Sequence, residues 1–124
     1  MYTTMESTLD THTDALVGEW LPLPEAADRL GLNLSRTKQL LRDHKILGVL
    51  REGTRQVPEA FIHDGQVLKG LPGTLTLLFD AGYEPVEALR WLFTPDETLP
   101  GTPVQALIEN RGTEIRRRAQ ALAF

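Results

Sequence analysis

The sequence predicts a mainly α protein with one short β-hairpin in its first half. Three observations carry that expectation. Residues 23–44 read as two helices about a tight turn, residues 46–57 hold two strand-like runs about Glu52-Gly53, and the chain after Gln66 shows helical spacing punctuated by proline and glycine. A helix pair followed by a hairpin is the layout of a winged helix-turn-helix. At 124 residues the chain suffices for one domain, or one small domain with a tightly packed extension. The boundaries drawn are a tail over 1–18, the winged helix-turn-helix over 19–64 and a C-terminal helical domain over 65–124.

Residues 1–18, MYTTMESTLDTHTDALVG, are acidic and threonine-rich with no sustained periodicity, and are expected to form a mobile tail. Trp20-Leu21-Pro22-Leu23 reads as an extended lead-in, with Trp20 covering one end of a small core. Pro24 then suits the first turn of a helix, where its missing N–H has no partner to lose. Ala26, Ala27 and Leu30 give that helix one apolar side, and Gly31 ends it. Asn33 is a good N-cap for a second helix reaching Asp43 or His44. Thr37, Leu40, Leu41 and His44 share one side of it, which makes His44 a core or boundary residue. Ser35, Lys38, Gln39 and Arg42 share the other.

A Ser/Lys/Gln/Arg face on the second helix of such a pair is what a reader of duplex DNA presents. Gln39 has the amide geometry to bond an adenine edge bidentately, and Arg42 or Lys38 can address guanine or a phosphate. Ser35 and Arg36 stand in the first turn, where side chains and backbone N–H groups favour phosphate oxygens. Arg51 and Arg55 flank the tip of the expected wing, 49–57, in position for the DNA backbone or minor groove. Charge is segregated to match: residues 29–55 carry seven Lys and Arg against Asp43 and Glu52, whereas residues 1–28 carry six acids and no Lys or Arg. The overall net charge of −4 argues against indiscriminate coating of nucleic acid, not against a local basic face.

Pro58 opens a short helical segment, Glu59 to Ile62, which His63-Asp64-Gly65 breaks. A head of this size buries too little surface to be stable alone and needs the second half. That half reads as helices over 72–82, 84–93 and 103–109, the last capped by Thr102, and a final helix capped by Thr113. The loop between the second and third is rich in turn residues. Arg116, Arg117 and Arg118 suit the C-terminal part of a helix, where positive charge offsets the dipole.

Composition removes several function classes. There is no cysteine, so disulfides, thiolate metal sites and cysteine nucleophiles are excluded. The three histidines lie apart with no metal-binding spacing, and the Gly-Pro turns lack the Lys-Ser/Thr of a phosphate-binding loop. No enzyme, metal or cofactor is expected. No apolar run approaches a membrane span and the N-terminus lacks the layout of a signal peptide, so a cytoplasmic protein without membrane contact is expected.

The run DRLGLNLSRTKQLLRDHKILGVLR resembles the winged head of MerR and excisionase proteins in its glycine-aliphatic turn, polar cap and "ILG" exit. The run LKGLPGTLTLLFDAGYEPVEALRWLFTPDETL, with the closing RRRAQALAF, resembles the C-terminal domain of a family of small actinobacterial winged-helix DNA-binding regulators. With LGLNLSRTKQLLR and QVPEAFI, that resemblance covers nearly everything after the tail. It implies an N-terminal winged helix-turn-helix and a helical C-terminal domain of unsettled role; with the polar face of the second helix, the leading reading is a sequence-preferring double-stranded DNA-binding protein, a transcriptional regulator. More locally, WLFTPDETLPGTPVQALIENRG is similar to the toxin-binding region of Xre/MbcA/ParS antitoxins, which implies a protein partner for the C-terminal helices as the rival function. Thr3, Thr4, Ser7, Thr8, Thr11 and Thr13 make the tail a candidate substrate of a Ser/Thr kinase. A phosphate there brings roughly −1.5 to −2 charges to compete with DNA for Arg36, Lys38 and Arg42.

Overall fold

The computed structural model describes residues 8–123. In chain order these form α1 (Thr11–Val17), β1 (Trp20–Pro22), α2 (Leu23–Leu30), α3 (Leu34–Arg42), β2 (Val49–Arg51), β3 (Thr54–Pro58), a 3₁₀ turn (Glu59–Phe61), β4 (Ile62–His63), β5 (Gln66–Val67), α4 (Leu71–Asp80), α5 (Pro85–Phe93), α6 (Pro103–Ile108) and α7 (Gly112–Ala121). The mainly α winged helix-turn-helix with a helical C-terminal half is therefore the fold.

Local chemistry explains the head. Gly31 takes the left-handed conformation that closes α2, and the Asn33 side chain accepts from the Arg36 N–H at 2.8 Å to open α3. The end of α3 is less usual. The Lys45 N–H reaches back to the Leu40 carbonyl and the His44 N–H to Leu41, with His44 itself at a φ of 55°. This is the glycine-type C-terminal cap made with a histidine. Glu52 and Gly53 both adopt positive φ, as a two-residue hairpin turn requires, and join β2 to β3 in the register Arg51 opposite Thr54. The sheet order is β1-β3-β2, with Leu21 opposite Val57, so the wing is three-stranded and incorporates the lead-in around Leu21.

The core crosses the expected 64/65 boundary without interruption. Leu21, Val57 and Phe61 of the head belong to the same buried cluster as Leu75, Leu89 and Ile115 of the second half. The rings of Phe61 and Phe93 lie 5.6 Å apart across that boundary.

Three expectations are corrected. The tail over 1–18 is not wholly mobile, because its described part contains α1. Asp10 caps that helix, accepting from the Thr13 N–H at 2.7 Å, and Arg90 of α5 donates to Asp10 at 2.8 Å and to the Thr13 hydroxyl at 3.1 Å. Thr13 is fully buried and so is no accessible hydroxyl; Thr8 and Thr11 are exposed, while Thr3, Thr4 and Ser7 lie outside the described residues. Second, the break at His63-Asp64-Gly65 is a second miniature hairpin, β4–β5, with Asp64 and Gly65 at positive φ. Third, α7 begins at Gly112, which places Thr113 inside its first turn and not at its cap.

Candidate nucleic-acid interface

Helix α3 is built so that one side must face out. Thr37 is fully buried, its hydroxyl bonded to the Asn33 carbonyl at 3.0 Å, and Leu40 and Leu41 are half-buried against the core. The opposite stripe, Ser35, Lys38, Gln39 and Arg42, is exposed along its whole length, with Arg36 exposed beside it. Arg36 and Lys38 have no ion-pair partner among the described residues, so their charge is available to an incoming anion. Gln39 is engaged at both ends of its amide: it donates to the Asp43 carboxylate at 2.9 Å and accepts from the Arg42 guanidinium at 2.7 Å. That relay fixes the direction of Arg42 and holds the Gln39 amide at the outer surface. Both bonds are solvent-exposed, so exchanging them for a base edge costs little.

The wing treats its two arginines differently. Arg55 lies on β3 with its guanidinium near the Gly48 carbonyl, 3.5 Å away, just ahead of β2. Arg51 is turned inward. Its Nε donates to Asp14 of α1 at 3.0 Å, one terminal nitrogen donates to the Gln56 side chain at 3.2 Å, and its guanidinium carbon lies 5.5 Å from the centre of the Trp20 ring. Trp20 completes the cluster by donating its indole N–H to Asp14 at 3.1 Å. The structure therefore brings Ser35, Arg36, Lys38, Gln39, Arg42 and Arg55 onto or beside one face, and occupies Arg51 elsewhere. Asp14 is the residue that sequence reasoning missed, and Trp20, expected only to cover the core, also anchors Asp14 through its indole N–H. The only signal was an acid at the edge of a segment without visible period.

Several of the remaining charges are paired within the fold. Arg29 pairs with Glu25 and Glu59. Arg118 is bonded to Glu114, Thr98 and Asp96, which orders the 94–102 loop. The Thr98 hydroxyl and N–H, followed by Arg118, hold the Asp96 carboxyl below its ordinary range. Among the described residues no cluster of His, Asp or Glu is arranged to hold a metal ion, and no helix is long and apolar enough to cross a membrane. His44 is exposed, its ring 4.8 Å from that of Phe79, at the surface and not in the core.

Comparison with known proteins agrees over both halves. A family model described as "DNA-binding protein Rv2175c, wHTH domain" matches residues 8–62, which takes in α1 as well as the head. A second, "Rv2175c C-terminal domain of unknown function", matches residues 68–123. The DNA-binding protein Rv2175c of Mycobacterium tuberculosis (strain ATCC 25618 / H37Rv) is 42% identical over 115 residues, spanning 82% of this chain and 79% of that protein. An NMR structure of Rv2175c is similar with a TM-score of 0.80 at 37% identity, covering 96% of this chain and 87% of that one. The resemblance to small actinobacterial winged-helix regulators thus resolves to one family. This chain belongs to the Rv2175c family, with its winged helix-turn-helix head and its C-terminal domain of unknown function.

Proposed function

We propose that this chain is a sequence-preferring double-stranded DNA-binding protein, a transcriptional regulator acting in the cytoplasm without catalytic activity of its own. The observation that carries this reading is the exposed stripe Ser35, Lys38, Gln39 and Arg42 on a helix whose other side is locked into the core. Helix α3 lies in the major groove, with Gln39 and Arg42 towards base edges and Ser35 and Arg36 on phosphates. Arg55 meets the flanking backbone. The description of the M. tuberculosis relative as DNA-binding supports it.

Selection from a random duplex pool followed by salt titration tests the reading. If Arg36, Lys38 and Arg55 each neutralise a phosphate, log K falls against log salt with a slope of roughly −2.7. Arg36→Ala weakens all duplexes alike and flattens that slope by about 0.9. Gln39→Ala instead relaxes preference at one base pair, at about 1–3 kcal/mol. A chain that binds no duplex at low salt, or variants that leave slope and profile unchanged, would refute the assignment.

A further inference from the structure

One concavity is not explained by DNA. Between α3, the wing and the start of α5 lies a groove of about 620 Å³, within the size range of small-molecule sites and at the junction of the two halves, where such sites concentrate. Its floor includes Leu41, Ile46, Phe79 and Pro85; Leu41, Phe79 and Pro85 are only half-buried, leaving apolar surface in contact with water. The left-handed cap at His44 sets the imidazole against Phe79 and raises one wall. The rim carries Lys38, Arg42 and Arg55, and no acidic residue lines the groove among the described residues.

The two halves of this lining ask for different chemistry. Cations at the edge of an apolar surface attract an anion strongly, because the low-dielectric wall focuses their field. A DNA phosphate satisfies that demand but leaves the floor wet. An anion with an apolar body satisfies both, with its body on Leu41, Phe79 and Pro85 and its charged head on the rim. We propose that this groove is a binding site for a small apolar organic anion. Its head occupies Lys38 and Arg42 and so excludes DNA; this regulatory half rests on the DNA-binding reading above, while the binding site itself does not.

The test is titration of the isotope-labelled full chain with 2-naphthoate, and with uncharged 2-naphthamide as its shape match, followed by NMR. The expected result is saturable shifts at Leu41, Ile46 and Phe79, with the anion bound about tenfold or more tighter than the amide. Pro85→Glu places an acid at the first position of α5, which tolerates one, and Phe79→Glu places one on the floor. Each weakens naphthoate binding by a much larger factor than it weakens duplex binding, because the new acid stands on the groove floor and not on the outer face of α3. Equal affinity for acid and amide, shifts scattered away from the groove, or undiminished binding in both variants overturns the site. Naphthoate binding in a chain that ignores duplex leaves the site standing and removes the DNA reading. Duplex and naphthoate bound together without competition removes the regulatory half.

Discussion

Asp14 and Arg51 stand 37 residues apart in sequence and decide how the wing is held. With the indole of Trp20 against both, they tie α1 to the end of β2 through a cluster that is partly shielded from water. Replacing Asp14 by Ala removes the acceptor for two donors at once. Denaturant unfolding is expected to show a loss of about 1 kcal/mol, modest because the ion pair is still partly solvated. Removing the Gln56 acceptor as well, in the Asp14→Ala/Gln56→Ala protein, frees Arg51 to reach a phosphate, so the salt slope of duplex binding should steepen by about 0.9. Asp10 makes a second anchor. Hydrogen bonds from the Thr13 side chain and N–H, then Arg90, hold its carboxyl at about 2, below the ordinary 3.8. Because the folded value is the lower, the cap contributes fully above pH 4 and is lost as pH falls towards 2. The Thr13 amide resonance is expected to titrate over that window, together with hydrogen exchange of the α1 amides, and Asp10→Asn should abolish the titration.

At the scale of elements, α3 and its cap were readable because every determinant is local. Asn33, the three-and-four spacing of Thr37, Leu40 and Leu41, and the polar stripe opposite them all lie within eleven residues. Asn33→Ala is expected to lower stability by about 1 kcal/mol in chemical denaturation, and Asn33→Asp to leave it nearly unchanged. The hairpin was readable for the same reason, since Glu52-Gly53 forces the turn. Helix α1 was not, because its contacts with the core come from Thr13, Leu16 and Val17, with Leu9 just ahead of it, and these few residues show no clear period. Its anchors lie far off in sequence: Arg90 is 80 positions from Asp10, and Arg51 is 37 from Asp14. The β4–β5 hairpin escaped because two-residue strands carry no alternation to detect.

At the scale of the molecule, the head and the C-terminal half share one core, and they are expected to unfold together. Single-tryptophan variants make this measurable: Trp20 reports on the head and Trp91 on α5, in the Trp91→Phe and Trp20→Phe proteins respectively. Both should give the same midpoint. Leu75, fully buried in α4, lies in the shared cluster, and Leu75→Ala should lower both midpoints equally, by about 2–5 kcal/mol of stability. Separate transitions, or a shift confined to Trp91, would show two independent units.

The sequence by itself determined the helix-turn-helix, the wing turn and the residues of the outward face, because capping, periodicity and turn conformations are short-range properties of the chain. Only the tertiary structure decided that Arg51 is held by Asp14, that Thr13 is buried beneath Arg90, and that one core serves both halves. Those outcomes depend on which surfaces meet after the chain has folded back on itself, and no local pattern encodes the partner of a charge that far along the chain.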